Sequence, residues 1–236
     1  MKRLSLGWVV VAGVIVIGFC AVLIGYFGYE GPRLEAASRI STEALSSAGA
    51  ANLVSAIYLN GRLYDTILEL LVFSVAVLGV RFYLLKRGKE ENVATVPESH
   101  VVRISADLLF PLILIIGIYL TLFGHLSPGG GFSGGVVAGT AVLLCAVAIG
   151  ANVVGRRFRE DILERVEWTI LTGILALAFI PPSIYGLPLV DILPRGEIGE
   201  MASGGSILVY NTLIGAKVFI GTWVIIHYFL QHRGEI

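Results

Sequence analysis

Three apolar runs of this 236-residue chain hold ionisable side chains that a lipid-facing helix does not carry. Lys217 sits near the middle of residues 207–229. Glu69 lies inside 66–80, four residues after Asp65. His125 stands where the run 104–124 meets the glycine-rich segment GHLSPGGGFSGG at 124–135. An ionisable group at membrane depth costs about 2.5–3.5 kcal/mol on insertion scales, so it faces a partner group or a water-filled path. Lys217 is about eleven residues from either end of its run, about 16 Å of helical rise, too far to snorkel to the interface. Desolvation favours a neutral lysine and makes proton exchange feasible. A salt bridge to an acidic residue on a neighbouring helix would look the same in sequence. Asp65 and Glu69 share one helix face and suit a cation or a proton path, although Asp65 also suits a positive helix start. His125 exchanges protons near neutral pH, and beside Pro128 it also suits the capping of helix carbonyls.

The elements that must hold these residues follow from composition. The chain is 56% hydrophobic and 14% charged, against roughly 25% charged for soluble domains. It must lie mostly in a bilayer, and the expected fold is all-α and polytopic, because lipid offers no partners to an open backbone. Six spans are expected, near 6–27, 66–85, 104–124, 132–154, 168–185 and 207–230, with an extra half-helix at 52–59 before Asn60-Gly61. With the N-terminus inside, twelve Lys and Arg fall on the inner side and four (Arg33, Arg39, Arg62, Arg195) outside, with Lys217 in the membrane. That asymmetry gives an N-in, C-in multi-pass protein of the cell membrane. The polar stretch at 86–103 divides a two-helix unit (1–85) from a four-helix unit (104–236).

Several simpler readings stand beside these. The glycine cluster Gly129, Gly130, Gly131, Gly134, Gly135, with Pro128 and Phe132, reads as a tight outer turn that lets two helices pack closely. No Lys-Ser or Lys-Thr follows it, so it is not a phosphate cradle. Ala202–Ser206 should open the last helix in the same way. Pro181-Pro182 should kink or end the fifth. Asp107 fits a first helical turn. The mixed-charge run 156–168 reads as a solvated or docking face. His227 should sit near the inner interface. Cys20 and Cys145 lie in apolar runs, away from any cluster that would suggest a metal site. Zero formal net charge gives no sign of a nucleic-acid partner.

The segments GHLSPGGGFSGGVVAG (124–139) and ASGGSILVYNTLIGAKVFIG (202–221) resemble the B-type component of Mrp-type (Mnh-type) sodium/proton antiporters, over residues 101–233. Residues 50–80 resemble the C-terminal part of the A-type component, where an Arg-aromatic-Asp-Thr-x-x-Glu arrangement opens a helix. Arg62, Tyr64, Asp65, Thr66 and Glu69 take those places, with Leu63 inserted after the arginine and Leu68 before the glutamate. A short A-type tail joined to a B-type unit is similar to an arrangement in archaeal membrane-bound hydrogenase and sulfane reductase complexes. The resemblance implies a non-redox subunit of a Na+/H+ antiport module, with Glu69, Lys217, Asp65 and His125 on the ion path. It implies no enzymatic activity or cofactor in the chain itself, with Na+ and H+ as transported ions. The implied partners are other Mrp-like subunits (A, C, D, E, F and G types), the lipid bilayer and a redox arm with iron–sulfur subunits. Membership of a stand-alone antiporter and a purely structural bridging role remain alternatives.

Overall fold

The structure is a computed structural model. It describes residues 48–87, 99–158, 160–185 and 193–231, together with 13, 16–21 and 24. The described residues form helices and turns, with no strand among them. In order they are α1 (Leu53–Ala56), a π turn (Ile57–Gly61), α2 (Leu63–Arg87), α3 (His100–Leu122), α4 (Gly131–Ile149), α5 (Ala151–Gly155), α6 (Glu160–Tyr185) and α7 (Ser206–Gln231). Stretches of α2, α3, α4 and α7 are long and apolar enough to cross a membrane. The 26-residue α6 occupies the place of the expected fifth span. The expected first span lies largely outside the described residues, although those described within it are helical. Most of the expected linker also lies outside them.

The boundaries differ from the sequence expectation for local reasons. The half-helix exists as α1 and its π turn: Asn52 caps α1 by accepting from the Val54 amide at 3.1 Å, and the Arg62 amide donates to the Ile57 carbonyl at 2.7 Å. Helix α3 begins at His100, so Asp107 is its eighth residue, exposed and beyond the first turn. The expected fourth helix breaks at Gly150, whose φ of 94° suits glycine and separates α4 from α5. Pro181-Pro182 do not end α6, which continues to Tyr185.

Helix α7 is central, packed against α2, α4 and α6, while α3 lies against α4. Leu63, Ile67 and Leu70 of α2, Leu171 and Ile174 of α6, and Ile214 and Val218 of α7 share one core. Helix α3 turns apolar side chains such as Leu108 and Ile115 outward, as a membrane helix does. Close approach of α4 comes from a glycine at every fourth position, Gly131, Gly135 and Gly139, along the face toward α7. A Cβ on Gly135 would stand 2.6 Å from the Gly215 carbonyl oxygen and 2.8 Å from the Val218 Cβ. On the α3 side, a Cβ on Gly117 would stand 2.7 Å from the Ala138 amide nitrogen. Without a hydrophobic drive between helices in lipid, such backbone proximity is a main source of packing energy.

Replacing Gly135 with valine should therefore force α4 off α7. Overpacking costs about 1–3 kcal/mol, so the thermal midpoint of the purified protein in detergent should fall by several degrees. Gly173, with nothing within 4 Å of the position its Cβ would take, should accept alanine without loss. Equal midpoints for Gly135→Val and Gly173→Ala would contradict the packing account.

Candidate ion-path site

Lys217 is 1% exposed, and its Nζ lies 2.5 Å from Oε1 of Glu167 on α6. The Phe73 ring of α2 stands 5.6 Å from the same ammonium. Helix α7 places Lys217 between α2 and α6, and Gly221, one turn on, lets Phe73 and Val77 close over it. The ammonium is thus held by one carboxylate and one aromatic face. Near the Glu167 end of α6, Glu164 pairs with Arg81 of α2 at 2.8 Å, and the Tyr228 hydroxyl lies against the same guanidinium. The run 156–168 is therefore not simply a solvated face: Glu164 and Glu167 turn inward onto arginine and lysine.

A second polar group gathers where α1, the α3–α4 turn and the start of α7 meet. Asn52 Nδ2 donates to the carbonyls of Gly124 and Ser127, each at 2.8 Å, and its amide donates to the His125 carbonyl at 2.9 Å. Asn211 Oδ1 accepts from the Tyr58 hydroxyl at 2.8 Å and from the Gly131 amide at 2.9 Å. Gly130, at φ 148°, passes beside the Tyr58 hydroxyl with no room for a side chain. His125 is fully buried against Gly204, yet neither ring nitrogen makes a hydrogen bond. The expected carbonyl cap is thus not formed in hydrogen-bonding geometry. Burial pushes the His125 pKa below the ordinary histidine value, opposed by the nearby carbonyls of Glu200, Leu122 and Met201.

The four path residues expected from sequence do not converge. Glu69 and Asp65 do share a face of α2, and both are exposed whereas Lys217 is buried. Asp65 is held by Arg62, whose Nε donates to Oδ2 at 2.6 Å. Phe132 packs edge-on to Phe73, and Pro128 is exposed at the turn. His227, four residues before the end of α7, is buried in the bundle, tilted beside Trp223 and 2.8 Å from Gln231. Sequence reasoning missed Glu167 as the Lys217 partner, and it missed Asn52, Tyr58 and Asn211. Asn211, an amide inside an apolar run, was the available signal. Among the described residues no three His, Cys, Asp or Glu gather to hold a metal ion.

Four long apolar helices packed around buried, paired charges define a polytopic membrane protein. A family model described as a domain related to the MnhB subunit of Na+/H+ antiporter matches residues 101–224, and the chain belongs to that family. A chain of the membrane-bound sulfane sulfur reductase, an archaeal respiratory membrane complex, is 30% identical with a TM-score of 0.72. The match covers 94% of this protein and 97% of that chain. The Mrp complex from Dietzia sp. contains a chain of the same fold, with a TM-score of 0.63 and 19% identity over all of this protein and 27% of that chain. An uncharacterised protein of Methanocaldococcus jannaschii is 29% identical over 196 residues, 72% of this chain and 73% of that protein. A probable K(+)/H(+) antiporter A/B component of Rhizobium meliloti is 25% identical over 232 residues, 84% of this chain. This chain matches only 23% of that longer protein.

Two outcomes follow from the site. Lys217→Met should destabilise the protein by about 3–5 kcal/mol, because it leaves Glu167 facing an apolar bundle. The double variant Lys217→Met/Glu167→Gln should recover most of that loss, as read from thermal melts in detergent. Additive losses would show the two groups to be uncoupled. For His125 the folded state prefers the neutral ring more than the unfolded state does. Its stability contribution is complete above the ordinary value of 6.5 and is lost as pH falls below it. Melts between pH 7.5 and 5 should decline in the wild type and flatten in His125→Gln.

Proposed function

We propose that the protein is a non-redox subunit of the Mrp-like Na+/H+ antiport module of a multisubunit respiratory complex, of the sulfane-reductase or hydrogenase kind. In this reading it contributes to cation and proton translocation coupled to electron transfer elsewhere in the assembly. The observation that carries it is the end-to-end likeness to one chain of the sulfane sulfur reductase, at 94% and 97% coverage. That match takes in both the A-tail-like unit and the B-like unit in a single chain. The exposed Glu69 face supports it too, since a carboxylate on the outside of a membrane helix calls for a polar neighbour. The neighbours would be the remaining Mrp-like subunits and, beyond them, an iron–sulfur redox arm. Na+ and H+ would be cargo, not resident cofactors.

A pulldown from native membranes in mild detergent, followed by mass spectrometry, tests the assignment. Iron–sulfur and antiporter-like subunits should both come down with the chain. Antiporter-like subunits alone would make it part of a stand-alone antiporter, and recovery of the chain by itself would defeat the proposal. In the recovered complex, Glu69→Gln should lower sodium-dependent transport while leaving the subunit composition intact. Unchanged transport would reduce Glu69 to a packing role and favour the structural-bridge alternative.

A further inference from the structure

Four charged side chains line one seam, and their exposure falls steadily inward. Glu164 and Arg81 are 28% and 25% exposed, Glu167 is 13% exposed and Lys217 is 1% exposed. Glu164 and Glu167 are one turn apart on the same face of α6, a spacing that puts their Cβ atoms about 5–6 Å apart. Arg81 and Phe73 lie two turns apart on α2, with buried Val77 between them. Tyr228 and Lys217 are three turns apart on α7, joined by Gly221, which sits against Phe73 and Val77. The seam is therefore polar at the Arg81–Glu164 end and closes onto Lys217.

Beyond Lys217 the bundle is closely packed. Ile214 and Val218 are 2% and 0% exposed, and the backbones of Gly135 and Gly215 meet directly behind them. The next polar side chain inside α7 is Asn211, which is engaged with Tyr58 and the Gly131 amide. Thr121, beside Gly215, donates its hydroxyl to the Gly117 carbonyl. Glu69, one turn before Phe73 on α2, is exposed.

We propose that the α2–α6–α7 seam is a one-sided proton-access route, entered at Arg81–Glu164 and ending at the Lys217–Glu167 pair. This rests on the reading of the chain as part of a proton-coupled antiport module and names residues for it. The transfer balances. A proton passes from Lys217 Nζ to Glu167 Oε1, breaking an N–H bond, forming an O–H bond and leaving a neutral amine beside a neutral acid. Glu167 then gives that proton to the Glu164 carboxylate, directly or through water, and Glu164 releases it at the entrance; reloading runs the same steps backward. Arg81 is the counter-charge to the Glu164 carboxylate, with Tyr228 steadying the guanidinium. His227, the other titratable group near this end of α7, is tilted beside Trp223 and bonded to Gln231.

The test uses the intact complex in sealed vesicles of both orientations. A membrane-impermeant carbodiimide activates a carboxyl, and attack by a neighbouring amine leaves an amide with net loss of water. A Lys217–Glu167 amide, found by mass spectrometry, should form when the reagent is applied from one face and not from the other. Formation from both faces, or from neither, would overturn the proposal. Next, Glu164→Gln should slow proton-coupled transport roughly tenfold at alkaline pH and little at acid pH, because a charged entrance concentrates a scarce ion. Glu164→Asp should restore most of the rate. An unshifted pH profile in Glu164→Gln, whether assembly is kept or lost, would count against the route and leave the pair structural. If the wild-type complex moves no protons at all, the antiport assignment fails, while the cross-linking result still decides whether the seam is open on one side.

Discussion

A lysine ammonium held at 1% exposure inside an apolar bundle needs a counter-charge within a few ångströms. That requirement fixes how α2, α6 and α7 stand to one another. Glu167 must come in from α6, Phe73 must offer its ring from α2, and Gly221 must leave space for that ring. Removing any of the three leaves the ammonium less well compensated. Isolated charges in such a medium neutralise or drag water in, whereas a paired charge can stay and exchange its proton. The seam between the three helices is therefore a structural element and a chemical one together.

The glycine face of α4 makes the rest of that arrangement possible. With Gly131, Gly135 and Gly139 against α7, and Gly134 and Gly117 between α4 and α3, the backbones approach to distances no Cβ would allow. The same closeness brings the Gly131 amide onto Asn211. The polar cluster around Tyr58 and the charged seam around Lys217 are thus kept apart by one closely packed layer. A bulkier α4 would loosen the helix contact and thin that layer at once.

Much of the fold is legible because membrane helices are written in plain composition. The apolar runs locate α2, α3, α4, α6 and α7 to within a few residues at most ends, the start of α6 being the exception, and the glycine cluster announces the tight α3–α4 turn. The break at Gly150 is not legible, because one glycine in an apolar run reads equally well as helix. The start of α6 escapes for the opposite reason: residues 160–167 are too charged to resemble a span, yet they continue the helix and turn two glutamates inward. Lys217 is conspicuous in sequence, but its partner is not. Glu167 sits among Arg165, Glu164 and Asp161, and only the rotation of α6 singles it out. Pairing across helices is a property of tertiary packing, which one sequence without an alignment does not encode locally.

The two carboxylates on α2 and α6 then divide in meaning. Glu167 is satisfied within the chain. Among the described residues Glu69 has no such partner: it is exposed beside Leu68, Val72 and Val75, about two turns into its helix. A carboxylate there is disfavoured against lipid. The cheapest cover is a polar surface on a neighbouring membrane protein. Internal charges matched inside the chain, and an external charge left for a neighbour, are what membership of a larger membrane assembly requires of a sequence. A self-contained transporter would be expected to bring its charges together around a single internal site.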